Sequence, residues 1–366
     1  MSVGIGGAGS KLATIFDPEN CTAVNISEAE LGKVEATKHI LAVAHSAKGQ
    51  FKGSGKNPLV GKTASISIEE ELLDLSKGNI VFTSTGGGTG NGITSVILDK
   101  ISKLENVLLN DSTVFVLLLP YLNKEPVEYV ENSIDFILES ISPAIDSGNT
   151  GNIILFSNKL KFEHRIPEAE YNKMIISSLL EFYNIPLKNQ ELKLLDGHID
   201  DEDFKIFTSK PYFNHFTIFN YTPDRPFVDL LNENMNPLLL PPEKPIEAMF
   251  LLEVPHESQC SYFYNILDYY SDDNVIPVYS VVLNEEISEP RITLSVLYSR
   301  KPKELIDDFK KMADRMTRKK LKKSIDQYVK LERAKLDIDA EVKKIEDENE
   351  NVHGVLDVLK RLRKLR

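Results

Sequence analysis

Seven consecutive residues, Gly86-Gly87-Gly88-Thr89-Gly90-Asn91-Gly92, contain five glycines. They follow an apolar, β-branched run at 79–84 (Asn-Ile-Val-Phe-Thr-Ser) and precede a helical pattern at 92–104. Glycines at a strand–helix junction let the backbone turn tightly and aim several N–H groups at one point. The helix N-terminus that follows adds partial positive charge, so such a junction suits a phosphate group. Thr89 adds a hydroxyl donor. A flexible hairpin or linker is the plain alternative, and the two regular flanking elements disfavour it.

The pattern around this loop repeats. Residues 3–5, 21–25, 38–43, 112–119 and 152–156 read as further strands, with helical patterns near 61–77 and 126–141. Continuous apolar strand runs suit a parallel sheet covered on both faces. The alternation predicts an α/β doubly wound parallel-sheet domain over 1–167, whose ligands bind at the carboxyl ends of the strands. A helix at 168–184 and an aspartate-rich loop at 196–203 form a central segment, 168–203. Strand patterns at 215–220, 247–253, 276–283 and 291–298, with a helix-like stretch near 258–270, predict a smaller α+β C-terminal domain over 204–302. Within 303–366, Leu331, Ile338, Ile345, Val352 and Leu359 recur every seven residues, the seam of a long amphipathic C-terminal helix. Glu341 and Glu348 on the second seam position, and Gly354, favour a helix packed on its own domain over a coiled coil.

Two more glycine loops stand in the first domain. Gly4-Ile5-Gly6-Gly7-Ala8-Gly9-Ser10 joins a strand to a helix and alone resembles a dinucleotide fingerprint, a weak signal. Gly53-Ser54-Gly55-Lys56-Asn57-Pro58 leads to Gly61-Lys62-Thr63. Five residues separate Gly55 from Gly61 where the Walker A motif allows four, which excludes a P-loop.

No apolar run reaches the roughly 20 residues that span a bilayer, and the N-terminus lacks the basic-then-apolar order of a secretory signal. Two distant cysteines, Cys21 and Cys260, predict a reducing, cytoplasmic setting without a disulfide framework. Seven scattered histidines form no zinc-type cluster, and no residue is assigned as a metal ligand. The net charge is −12, but residues 301–366 hold 20 Lys+Arg against 14 Asp+Glu, a net of +6 that leaves −18 on residues 1–300. A basic end on an acidic body suits an acidic partner, including a neighbouring subunit, as well as a plain solvated helix.

With these loops in place, the chain resembles the tubulin/FtsZ superfamily. Gly86 to Gly92 is similar to its Gly-Gly-Gly-Thr-Gly-(Ser/Thr/Asn)-Gly signature, and Gly6, Gly7, Gly9 and Ser10 fall where its first phosphate loop belongs. Ala23-Val24-Asn25 resembles a strand ending in Asn-Thr-Asp, although Ile26-Ser27 follows here. Gly55, Asn57 and Pro58 resemble the family's third loop. Phe156-Ser157-Asn158 resembles the step whose asparagine reads guanine, Asn172 opens a helix like the family's central helix, and Glu125 is the ribose-binding candidate. Ile199 to Phe204 resembles the synergy loop, and the run 168–203 looks closest to the TubZ-type plasmid and phage members.

The resemblance implies GTP or GDP with Mg²⁺ as cofactors. The nucleotide would be held by Gly6, Gly7, Gly9, Ser10, Asn25, Gly55, Asn57, Gly86, Gly87, Gly88, Thr89, Gly90, Asn91, Glu125, Asn158 and Asn172. It implies hydrolysis of GTP to GDP and phosphate, with Asp200 and Asp203 reaching the nucleotide of the next subunit in a homopolymer. It implies a role in plasmid or phage DNA segregation or positioning, with an adaptor, DNA or a neighbouring subunit taken by the basic tail, where five of the last seven residues are Lys or Arg, and with no membrane partner. Four alternatives stay open. Asp200 and Asp203 can simply cap a helix. The chain can be a nucleotide-binding scaffold with little or no hydrolysis. It can be a cell-division, FtsZ-like protein. A dinucleotide oxidoreductase would need an acidic residue at the end of the second strand, where Asn25 stands.

Overall fold

A computed structural model describes residues 1–322 apart from 48, 106–110, 243, 272–274, 300–306, 308, 316 and 320. The heptad seam at 331–359 and the basic tail lie outside the described residues.

The strands, in chain order, are β1 (Ser2–Ile5), β2 (Cys21–Asn25), β3 (Lys38–Leu41), β4 (His45–Ser46), β5 (Gly49–Gln50), β6 (Ile80–Ser84), β7 (Val114–Leu119), β8 (Ile153–Ser157), β9 (Lys193–Gly197), β10 (Phe213–Asn220), β11 (Pro245–Val254), β12 (Val278–Leu283) and β13 (Arg291–Tyr298). Eleven of them form one sheet in the order β3-β2-β1-β6-β7-β8-β10-β13-β11-β12-β9, and β4 pairs with β5 apart from it. From β3 to β8 every pairing is parallel. The chain winds outward from β1 through β2 to β3, then returns to the other side of β1 with β6. That reversal, between β1 and β6, is a topological switch point, where the crevice outside the strand ends takes ligands.

The apolar runs explain the layers. In β7, Val114, Val116 and Leu118 enter one buried cluster while Phe115, Leu117 and Leu119 enter another on the opposite face. Each fully buried side chain of this size contributes roughly 1.5–3 kcal/mol, so an unbroken run of apolar residues is stable only where helices cover both faces. One cover is the central helix, Glu168–Tyr183, which buries Tyr171, Ile175, Ile176, Leu179 and Phe182 at helical spacing. Its Phe182 ring stacks on Phe216 of β10, with centroids 4.9 Å apart.

The smaller α+β half is not a separate sheet: β10 extends the first sheet through two residue pairs with β8, Phe213↔Ile153 and Asn214↔Ile154. A buried polar chain reinforces this short seam. Ser295 Oγ donates to Asn214 Oδ1 at 2.7 Å, and Asn214 Nδ2 donates to Asn152 Oδ1 at 2.7 Å. Asn152 Nδ2 donates to the carbonyls of Phe207 and Lys210. Every link is satisfied, the condition under which a buried polar network stabilises. The expected helix over 61–77 is three pieces, Pro58–Ser65, a 3₁₀ turn Ile66–Ile68 and Glu69–Ser76. The expected loop at 196–203 is partly regular, since β9 precedes it and a helix Asp201–Thr208 starts within it. Beyond β13, the helical residues Phe309 and Ala313 return to the core of the first half.

One buried group at the seam makes stability depend on pH. His215 is 2% exposed; one ring nitrogen, Nδ1, lies 2.8 Å from the Leu240 carbonyl, and Nε2 has no partner. Burial pulls its pKa down from 6.5 to about 4. The folded chain therefore binds fewer protons than the unfolded chain between those values, so stability is complete above pH 6.5 and falls as pH drops towards 4. The shift corresponds to about 3 kcal/mol. Urea unfolding at pH 7 and pH 4.5 should show a loss on that scale, and His215→Gln should remove most of the difference. An unchanged difference in the variant would assign the acid sensitivity to other groups.

Candidate nucleotide site

A cavity of about 480 Å³ opens at the carboxyl ends of β1, β2, β6, β7 and β8. Gly6, Gly7 and Ala8 follow β1, Asn25 ends β2 with Ser27 just beyond it, Ser84 ends β6 with Gly86 to Gly90 after it, Pro120 follows β7 and Asn158 follows β8. The volume suits a nucleotide-sized ligand. A smaller cavity, about 180 Å³, lies beside Lys77, Asp111 and Thr113, which precede β6 and β7, and has no glycine loop.

Two helices begin at the large cavity, Gly6–Phe16 and Thr89–Ser102, and neither has a side-chain cap nor an acidic first turn. Their first N–H groups have no partner within the helix, and their dipoles place positive potential there. Gly6 sits at φ 73°, a left-handed turn, and a Cβ on it would lie 2.9 Å from Gly90 N. The two loops therefore touch and present a shared set of N–H donors, as an anion requires.

Away from the glycine loops the cavity is lined by polar side chains, among them Glu125, Asn158 and Asn172. Glu125 accepts from the Tyr121 N–H and from Asn158 Nδ2 at 3.1 Å. Burial pushes the Glu125 carboxyl above its usual range, and those two hydrogen bonds pull it part of the way back. Asn158 Oδ1 is buried without a partner. An orphaned acceptor in a cavity wall calls for a donor from a ligand. Asn172, nearly buried in the central helix, lines the same region. Glu168, from that helix's first turn, is held by Lys11 Nζ at 2.7 Å.

Of the residues expected from the sequence, Gly6, Gly7, Asn25, Gly55, Gly86, Gly87, Gly88, Thr89, Gly90, Glu125, Asn158 and Asn172 line this cavity. Gly9, Ser10, Asn57 and Asn91 do not. Gly9 packs on β6, where a Cβ would lie 2.1 Å from the Phe82 carbonyl oxygen. Ser10 is fully buried and donates to the Gly4 carbonyl. Asn57 caps the helix Pro58–Ser65 through the Leu59 N–H. Asn91 donates to the carbonyls of Thr85 and Asn132, bracing the glycine loop from behind. Ser27, Glu30, Ser54, Tyr129 and Lys161 line the cavity without having been singled out. Only Tyr129 carried a usable signal, four residues beyond Glu125 in the first turn of the helix Val127–Phe136.

Asp200 and Asp203 stand elsewhere. Asp200 is the N-cap of the helix Asp201–Thr208, its Oδ1 accepting from Asp203 N at 2.8 Å, and Asp203 Oδ2 accepts in return from Asp200 N. The backbone N–H of Asp203 is the main reason the exposed Asp200 carboxyl lies below its usual range. His198 joins them within 4.8 Å, but the carboxylates are already engaged in the cap. Phe204, on the same helix, packs against Phe182 and Tyr183 at the C-terminal end of the central helix. That 16-residue helix spans about 24 Å at roughly 1.5 Å per residue. The cavity is at its N-terminal end, through Glu168 and Asn172, so the acidic pair sits about one helix length away.

No protein-family model and no curated protein matches the sequence. Solved structures do match. A GTPγS-form protofilament of TubZ from Bacillus thuringiensis serovar israelensis aligns with a TM-score of 0.68 at 14% identity, over 88% of this chain and 93% of that one. CetZ from Methanosaeta thermophila aligns at 0.62 and 18% identity, over 96% and 99%. An empty FtsZ dimer from M. jannaschii aligns at 0.56 and 19% identity, over 81% and 87%. The chain has the tubulin/FtsZ fold. No described helix is long and apolar enough to cross a membrane.

Proposed function

We propose that this chain binds GTP and GDP, assembles head to tail into filaments, and hydrolyses GTP in a site that the next subunit completes. The observation that carries this reading is the separation within one subunit. A cavity with two uncapped helix N-termini and an orphaned Asn158 acceptor lies at one end of the central helix, and the Asp200–Asp203 carboxylate pair lies at the other. The pair cannot act on a nucleotide in its own cavity, whereas a second copy stacked end to end would bring it there. Exposed apolar side chains stand at both ends: Leu59, 66% exposed, beside the glycine loops, and Leu187, 48%, and Leu194, 43%, near the acidic loop. Burying such residues against another copy is a driving force for association. The TubZ neighbour was solved as a protofilament, which supports the same arrangement here.

The residues fit the group. Guanine offers donors on its Watson–Crick edge that Asn158 Oδ1 can accept, and Glu125 fits a ribose hydroxyl as acceptor. Phosphates fit the N-termini of Gly6–Phe16 and Thr89–Ser102. Mg²⁺ carried on the phosphates would screen their charge and find oxygen donors in Ser27 and Glu30. Asp200 and Asp203 would orient the attacking water.

The capping box favours one second reading, a scaffold that binds nucleotide without hydrolysing it, because capping already accounts for both carboxylates. Right-angle light scattering with GTP and then GDP, with phosphate release measured across protein concentrations, separates the two. Assembly only with GTP, and release per subunit that rises above a critical concentration, are expected. Release that is independent of concentration would sink the shared site, and assembly without release would leave the scaffold. Segregation or positioning of plasmid or phage DNA is the cellular role we propose. It rests on the TubZ-like resemblance and on a basic tail suited to an acidic adaptor, a neighbouring subunit or DNA.

A further inference from the structure

The cavity has two lining cations, Lys56 and Lys161. Lys161 belongs to the Glu125 side, where its charge acts on both Glu125 and Glu168. Lys56 stands at the other end, among the glycine loops, and makes no ion pair among the described residues. Its ammonium rests over the Tyr129 ring, 5.2 Å from the centroid. Such a contact holds a cation only weakly at an exposed site.

The backbone fixes Lys56 in that place. Its φ is 67°, the left-handed conformation that residues other than glycine adopt at a cost. Asn132 holds it there: its Nδ2 donates at 2.9 Å both to the Lys56 carbonyl and to the Gly86 carbonyl. Asn132 thus ties the Lys56 loop to the first glycine of the 86–92 loop. The loops also touch at Gly88, where a Cβ would lie 2.6 Å from Asn57 N. Tyr129 is anchored too, since a Cβ on Gly86 would lie 2.9 Å from its own Cβ. A strained backbone, a bridging asparagine and an anchored ring together hold one flexible cation beside the helix N-terminus that faces the cavity.

We propose that Lys56 is the residue that distinguishes the terminal phosphate of a nucleoside triphosphate. With a diphosphate in the cavity its ammonium stays on the Tyr129 ring. With a triphosphate it leaves the ring for the added phosphate, because a charge-assisted hydrogen bond is the stronger contact. The inference rests on the nucleotide reading of the cavity. It adds the point at which the site senses whether hydrolysis has occurred.

The test is the ratio of affinities for GTPγS and GDP, measured by calorimetry on the full chain with Mg²⁺. Lys56→Gly removes the ammonium while relieving the left-handed φ, so the loop keeps its path. Lys56→Arg keeps a cation. The ratio should fall about tenfold in Lys56→Gly, the scale of one hydrogen bond to a charged group, and fall less in Lys56→Arg, which keeps a cation but stacks more strongly on the Tyr129 ring. An unchanged ratio in Lys56→Gly, including equal losses for both ligands, overturns the proposal and leaves the nucleotide site standing. A parent chain that binds neither ligand overturns both.

Discussion

Asp200→Asn should lower GTP turnover by about 100-fold or more, the scale contributed by a positioned general base, and leave filaments that persist after GTP is added. The structure selects this substitution over alanine. Asp200 caps the helix Asp201–Thr208, and asparagine caps about as well as aspartate, whereas alanine costs about 1 kcal/mol. Asp200→Ala would therefore lose both turnover and some stability, and the two losses could not be told apart. Asp200→Asn keeps the cap and removes the charge. The hydrogen bond from Asp203 N holds the Asp200 carboxyl ionised well below neutral pH, so the parent has a carboxylate to lose. Phosphate release, pelleting and thermal melting measured together decide the matter. Unchanged melting and lost release support the shared site. Release at the parent rate in Asp200→Asn would show that Asp200 only caps the helix.

The sequence made the centre of this fold legible because the constraint there is local. The runs at 79–84, 112–119 and 152–156 are apolar on both sides, and only a doubly covered strand tolerates that. β9 was not legible: Lys193-Leu194-Leu195-Asp196-Gly197 is a half-exposed edge strand, and its ladder comes from β12, more than 80 residues later. Its structure is decided by that partner, not by propensity. The same divide runs through the site. Most of the glycines could be read because a tight turn or close approach requires them, although Gly9 answers the packing on β6 and not the cavity. The polar residues in the loops could not be sorted, because Ser10, Asn57 and Asn91 hold the loops in shape while Asn25, Asn158 and Asn172 line the cavity. Ser10 turns into the Gly6–Phe16 helix and meets the Gly4 carbonyl, and a single sequence carries no sign of that rotation. Lys56 showed its charge in the sequence but not its ring contact, which depends on a helix about 70 residues away.

Asn158→Ala should weaken GTP binding by about 100-fold, roughly the 3 kcal/mol upper end for hydrogen bonds that involve charged or buried partners. Two losses combine. Asn158 Oδ1 is the buried acceptor without a partner, so the variant removes the atom that a guanine donor would meet. Asn158 Nδ2 donates to both Glu125 oxygens, at 3.1 and 3.3 Å. Without it Glu125 keeps the Tyr121 N–H, and burial pushes its carboxyl further above the usual range. That shift is towards the protonated form, which weakens an acceptor for ribose. Specificity gives the sharper readout. Adenine presents a ring acceptor where guanine presents an N–H, so in the parent it sets one acceptor against Asn158 Oδ1. The preference for GTP over ATP should collapse in Asn158→Ala, with ATP affinity falling far less than GTP affinity. Equal losses for GTP and ATP would assign Asn158 to the shape of the cavity through Glu125. An unaltered GTP affinity would move the base to another wall of the cavity, leaving the phosphate loops as the only part of the nucleotide reading that the geometry supports.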